Sequence, residues 1–419
     1  METTIPISLN GSPNPMIVVP NSLDEPLLST KLLLSVNRTY WEFFFITLAC
    51  FSCYASMFFF QRYVSDKAGF DHGNVLLGVA ISLLAFGNLI FRLAHNILFA
   101  FLSPRHRLVL AMTIMLIVEA TLFSLFKFAD KIAIWQVGLC YGLAGMGIGT
   151  FESNIMNVAT AYGKKAKMYG LYGIPFGIAS VTVLSRPIMN FFDWSQPTYI
   201  YFAVGTLQIL CILLLLTRVD VKVLARQGTS ASDFMMYLSE WRRWFFKILP
   251  YALTMGVNMF AVSSFSPGIE LYVFTDDVIV VDLILFKFSL ANHYFFSLFS
   301  LLFCIGDFSS RIVFDRIRLK KPYPFLLFTV SGVFLGLLKV PVLALCCGFL
   351  VSFGNGGIYT TSSRTIDQTV DSRYNGIAYS FWLFISDSFS VLAYVTTQYI
   401  RDILVPPTGG DVGFIYSFY

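Results

Sequence analysis

Residues 198–216, TYIYFAVGTLQILCILLLL, run for 19 positions without a charged side chain. A helix crossing the hydrocarbon core of a bilayer needs about 20 mostly apolar residues, so this stretch reads as a transmembrane span. Working outward with a window of about 19 residues places spans at 41–60, 74–101, 108–126, 132–158, 168–192, 198–216, 244–266, 293–314, 323–338, 340–361 and 374–400. Only Lys339–Pro341 separates the ninth from the tenth. The composition agrees, with 56% of the 419 residues hydrophobic and 13% charged, where soluble domains carry about a quarter charged residues. Eleven spans of about 21 residues would use about 55% of the chain. This excludes a soluble enzyme, a disordered chain, a secreted disulfide scaffold and a nucleic-acid binder. The net charge of +5 does not argue for nucleic acid, because the basic residues sit in short loops between apolar runs.

Those basic residues also orient the chain. With the N-terminus in the cytosol, 19 of the 29 Lys and Arg fall on the cytosolic side, seven on the other, and Arg92, Arg186 and Arg311 inside spans. Such a bias is the positive-inside signal. The longest polar connection follows the quoted run and divides the chain into six spans and five. The expected fold is an all-α polytopic membrane protein of about 11 transmembrane helices in a 6+5, major-facilitator-type, two-bundle arrangement. Residues 1–40 are read as a cytosolic tail, 41–216 as a six-helix bundle, 217–243 as a cytosolic linker, 244–400 as a five-helix bundle and 401–419 as a second tail. Two bundles joined by a linker point to a carrier with its path between the halves. Within the linker, Gln227–Asp233 reads as flexible. Trp241 and Trp244 with Arg242 and Arg243 read as an interfacial anchor. The segment from Thr275 to Asn292 is too charged at its start to span the membrane.

All seven cysteines lie inside apolar runs, which gives no disulfide framework. Cys50 and Cys53 form a CxxC without a second ligand pair, so they read as small apolar helix residues and no metal is expected. The first 40 residues lack the basic start and short apolar core of a cleaved signal. The sequon at Asn37 abuts the membrane on the cytosolic side and is expected to be unused. Asp24–Leu28, DEPLL, resembles a dileucine signal read by a sorting adaptor.

A charge at mid-bilayer costs roughly 2.5–3.5 kcal/mol, so the few buried ones are the candidate site residues. In the eighth span Asp307 and Arg311 are four apart and share a helix face. They can contact substrate or a gate, or fasten two helices. In the fourth span Gly142, Gly145, Gly147 and Gly149 precede Glu152 and Asn154. Small residues permit close helix approach; the carboxylate and amide either receive a planar polar ligand or bond between helices. Arg92 with Asn88 and His95 makes one face of the second span. Glu119 in the third span and Asp387 in the last complete the gating or proton-coupling candidates, with Arg92 and His95. Arg186, beside Pro187 near a span end, can snorkel. No span carries a nucleophile–base set, so an enzyme is not expected, and no cofactor.

Three local patterns resemble the equilibrative nucleoside transporter family: Gly306-Asp307-Phe308-Ser309-Ser310-Arg311 in the eighth span, the Phe-Pro-Gly-like turn at Phe265-Ser266-Pro267-Gly268-Ile269 after the seventh, and Ser352-Phe353-Gly354-Asn355-Gly356 in the tenth. The family's layout has eleven spans, a cytosolic N-terminus and a cytosolic loop after the sixth. The resemblance implies a small-molecule substrate, a nucleoside or nucleobase, moved through the lipid bilayer by alternating access, facilitated or proton-coupled. It places Asp307, Arg311, Glu152, Asn154, Tyr54 and Asn258 on the substrate path. The chain departs from the family in its first span, where Ser52-Cys53-Tyr54-Ala55-Ser56 replaces a Pro-Trp-Asn type sequence, and in lacking a fourth-span Gln. Gly354–Tyr359, Ile385-Ser386-Asp387 and the dileucine resemble battenin-like proteins more weakly. The first reading implies the plasma membrane, the second a lysosomal or vacuolar membrane. A carrier of another small polar solute, or a membrane scaffold, are the remaining readings.

Overall fold

In a computed structural model, residues 40–69, 75–219, 231–273, 278–283 and 286–404 are described. The dileucine, the sequon, most of the flexible linker and the end of the chain lie outside them.

The apolar runs become long helices because a backbone in hydrocarbon must satisfy its own N–H and C=O groups. They are α1 (Trp41–Phe59), the short α2 (Gln61–Ala68), α3 (Val75–Leu98), α4 (Pro104–Phe128), α5 (Ile134–Tyr162), α6 (Lys164–Thr182), the short α7 (Ser185–Phe191) and α8 (Thr198–Arg218). After the linker come α9 (Ala231–Ser239), α10 (Phe245–Val273), a hairpin of β1 (Val278–Leu283) and β2 (Phe286–Ala291), α11 (Asn292–Ile317), α12 (Leu326–Leu337), α13 (Pro341–Thr369) and α14 (Asn375–Leu404). Boundaries follow ordinary capping. The Ser103 hydroxyl accepts from the His106 N–H with Pro104 at the first position of α4. Gly163, at φ 97°, turns the chain between α5 and α6.

Among the described residues, nine helices are long and apolar enough to cross a membrane. Two of the expected spans fall short on that measure for different reasons. α5 is 29 residues long but carries Gln, Glu, Ser, Asn and Gly, and it is shielded by its neighbours. α12 has 12 residues, roughly 18 Å of helix. In the first part of the chain the broadest packing joins α3 to α5, α1 to α6 and α4 to both α5 and α8. In the second part it joins α11 to α13, α10 to α14 and α12 to α13. The seam between the two parts is carried chiefly by α3 and α5 on α14 and by α6 on α11.

Three expectations need correction, and one connection has a fold the sequence left open. The backbone of α10 continues as helix through Phe265–Ile269 to Val273 instead of turning there. The segment between α10 and α11, not expected to span the membrane, folds into an antiparallel hairpin, Val278 opposite Ala291 and Asp282 opposite Lys287. Its alternation explains this: Ile279 and Val281 are buried against Phe295, Phe299, Ala344 and Leu345, while Val278 and Val280 face out. Trp244 is not an interfacial anchor. It is fully buried and donates to the Tyr237 carbonyl at 2.9 Å, under the linker helix α9. Finally, Lys167, which falls just outside the expected span 168–192 and so among the loop basic residues, lies in α6 and is 5% exposed.

Candidate functional site

The glycines before Glu152 bring α5 onto α3. A Cβ at Gly145 would run into the Leu84 carbonyl, and one at Gly149 would come within 2.5 Å of the Asn88 carbonyl. Only hydrogen on those Cα atoms permits the approach. Glu152 thereby meets Arg92, and the two form a buried ion pair. Arg92 Nε donates at the same time to Asp387 Oδ2 of α14, at 2.6 Å. The planar guanidinium, with five N–H groups, suits this double task. Asn88, one turn before Arg92, donates to the same Asp387 oxygen at 3.2 Å.

The chain of contacts continues across the seam. Tyr359 of α13 donates its hydroxyl to Glu152 Oε1 at 2.5 Å. The Arg311 guanidinium lies over the Tyr359 ring, 4.9 Å from the centroid, a cation–π contact. Arg311 Nη2 donates to Asp307 Oδ2 at 2.9 Å on the same helix face, as the spacing of four requires. Asp307 sits against Gly356 of α13, where a side chain would collide with its carboxylate. Asp387, Arg92, Glu152, Tyr359, Arg311 and Asp307 thus link five helices from both parts of the chain.

Some hydrogen-bonding capacity in this network is unused. Arg92 Nη1, Asn88 Oδ1, Asp307 Oδ1 and Arg311 Nη1 are buried without a partner. Buried polar atoms are ordinarily bonded, so these four are where a ligand group would gain most. A cavity of about 60 Å3 adjoins Asp387 and Asn88, lined also by Tyr54, Met259 and Ser390. It has room for a few waters. It lies on the side of Asp387 toward the β-hairpin.

The opposite end of the seam is tied shut. Lys167 of α6 is bonded to the Ser363 carbonyl at 3.0 Å, to Asp367 Oδ2 at 2.5 Å and to the Tyr379 hydroxyl. Tyr379 also donates to Asp367 Oδ1 at 2.6 Å. Lys164 pairs with Asp315 at 2.8 Å nearby, more exposed. Arg364 closes the adjoining turn by donating to the Phe314 and Leu319 carbonyls.

The remaining sequence candidates are placed elsewhere. Asn154 donates to the Thr150 carbonyl of its own helix at 2.7 Å. Asn258 is a staple inside the second part of the chain, donating to Asn355 at 2.8 Å and accepting from Thr329 at 2.7 Å. His95 donates from Nδ1 to the Phe91 carbonyl at 2.6 Å, and its Nε2 lies 3.3 Å from the Ser153 hydroxyl. Glu119 accepts from Ser56 at 2.5 Å within the first bundle, apart from the seam. Sequence reasoning missed Tyr359, Lys167, Asp367 and Tyr379. A tyrosine in an aromatic-rich chain carries no signal, and Lys167 lies just before an apolar run, where a loop lysine is expected. Arg186, in the short α7, lies with its guanidinium 5.1 Å from the Tyr63 ring centroid.

No protein-family model matches the sequence, and no curated protein matches it. Among solved structures, the fold is similar to that of a single-substitution variant of the Escherichia coli fucose:proton symporter FucP. The TM-score is 0.56 at 14% identity, over 91% of this chain and 96% of that chain. At that identity the likeness is one of fold. The chain is therefore an all-α polytopic membrane protein with a major-facilitator-type fold.

Proposed function

We propose that the protein is a major-facilitator-type carrier that moves a small polar solute across a membrane by alternating access. The observation that carries this reading is the Asp387–Arg92–Glu152–Tyr359 network, which joins the two parts of the chain within their long helices. Charge held inside a membrane protein marks a solute or ion path far more often than a scaffold. The cavity reaches this network from the hairpin side, while Lys167 and Asp367 tie the other end. With the basic end in the cytosol, as the positive-inside bias implies, this arrangement corresponds to a carrier closed toward the cytosol.

The substrate class we propose is a nucleoside or nucleobase. The reading is supported by the resemblance of the Asp307/Arg311 and Asn355–Gly356 patterns, and by the unused acceptor on Asp307 and donor on Arg311. A sugar is the second reading, favoured by the fold likeness to a fucose:proton symporter. The plasma membrane is the proposed location, with a lysosomal or vacuolar membrane as the alternative and a sorting adaptor at Asp24–Leu28. The test is uptake of labelled adenosine, hypoxanthine, L-fucose and amino acids into liposomes containing the purified full chain. Saturable adenosine or hypoxanthine uptake supports the proposal. Saturable fucose uptake alone replaces the substrate class, and no uptake of any solute overturns the carrier reading.

A further inference from the structure

The seam network does not balance its charge. Two guanidinium groups, Arg92 and Arg311, face three carboxylates, Glu152, Asp307 and Asp387. Sorting the groups by bundle is more informative. In the first bundle Arg92 and Glu152 neutralise each other. In the second, Asp307 and Arg311 do the same within one helix. Asp387 is left over. Its cationic partner belongs to the other bundle, and its other bond, from Asn88, comes from there too.

Separation of the bundles along this seam takes Arg92 and Asn88 away from Asp387. An ionised carboxylate would then stand alone within the membrane-embedded helix α14, which is strongly unfavourable. A proton removes the difficulty and also removes the ionic bond that holds α3 to α14. We propose that Asp387 is the proton-carrying residue of this protein, ionised while paired with Arg92 and protonated whenever the bundles part at this seam. The idea rests on the carrier reading for the purpose of the movement, and it specifies the ion that the movement requires.

The surroundings support Asp387 over its neighbours. Its side chain is 14% exposed, against 9% for Glu152 and 5% for Asp307. It is the one carboxylate of the network that lines the cavity on the hairpin side, where water can deliver a proton. Glu152 keeps Arg92 and stays paired within its own bundle when the halves part. The groups facing Asp387 are Arg92 and Asn88 from α3, with Glu152 from α5 behind Arg92. Tyr359 of α13 reaches the network through Glu152, and His95 on α3 is turned to Phe91 and Ser153. From α10, Met259 lies beside the cavity. Acid must therefore favour the parted state, because only the protonated form tolerates loss of Arg92.

The test needs no solute. A cysteine at Ser390, which lines the cavity, is labelled with a membrane-impermeant maleimide in the full chain in liposomes, with rates corrected for thiolate fraction. The expected result is labelling about fivefold or more faster at about pH 5.5 than at about pH 8.5, a population shift driven by one proton. Asp387→Asn should remove this dependence and label at the acid rate throughout, while Glu119→Gln, outside the network, should retain it. Dependence that survives Asp387→Asn, or that disappears with Glu119→Gln instead, overturns the proposal. Infrared difference spectra of the unmodified protein serve as a second measurement if the variant does not fold. A protonated-carboxyl band should fade with rising pH, and its absence also overturns the proposal. Protein that shows pH-gated labelling but transports nothing keeps this inference and refutes the carrier reading. Solute uptake combined with pH-independent labelling does the reverse.

Discussion

Arg92 holds two carboxylates from two helices, and that double bond sets its mutational behaviour. Removing one partner of a buried ion pair typically costs about 3–5 kcal/mol. Arg92→Met leaves Glu152 and Asp387 facing each other's charge, and thermal unfolding in detergent should show a loss of that order. Adding Glu152→Gln should recover part of it, because the double variant buries less uncompensated charge. Losses that simply add would show that the two residues act independently. Glu119 provides the contrast. It has a hydroxyl donor, Ser56, and no ion pair among the described residues, so Glu119→Gln is expected to stay within about 1 kcal/mol of the parent in the same assay. At the second pair, Asp307→Asn and Arg311→Leu should each abolish uptake while the protein still reaches the membrane. Normal uptake by either variant removes that pair from the mechanism.

At the scale of elements, the α3–α5 contact decides whether the network exists at all. The same substitution should have opposite effects two turns apart. A Cβ at Gly142 meets nothing closer than the Leu83 Cβ at 3.8 Å, so Gly142→Ala should stabilise by up to about 1 kcal/mol through helix propensity. A Cβ at Gly149 would press on the Asn88 backbone, and Gly149→Ala should destabilise by about 1–3 kcal/mol. Comparable melting shifts for the two variants would contradict the packing described. The sequence already marked this region, since Gly142, Gly145, Gly147 and Gly149 stood out as a close-packing surface. Their partners, α3 for Gly142, Gly145 and Gly149 and α4 for Gly147, were not legible, because helix order along the chain does not say which helices touch.

Across the whole molecule the seam is closed at the basic end by Lys167, Asp367 and Tyr379 and reached by a cavity on the hairpin side. α9, from the linker, packs on both α3 and α14 at that basic end. Lys167→Met deletes the central cation of the clasp and leaves the half-buried Asp367 with Tyr379 alone. Labelling of a cysteine at Ser363 should then rise by about threefold or more as the closed population falls. An unchanged rate would mean that the clasp does not hold the two bundles together.

The sequence by itself determined that this is a helical membrane protein, which buried charges to examine, and that Asp307 and Arg311 share a face. Those are local properties: apolar run length against bilayer thickness, and the rise and turn of one helix. The tertiary structure decided which charges meet. Arg92 joins Glu152 and Asp387, residues 60 and 295 positions away, while Asn258 and Glu119 are drawn into separate clusters. It also made a strand pair of the segment after α10 and a buried clasp of Lys167. The physical reason is that pairing in a low-dielectric interior depends on distances between helices, and those distances are set by side-chain volume at contacts such as Gly149 on Asn88, which no single helix reveals.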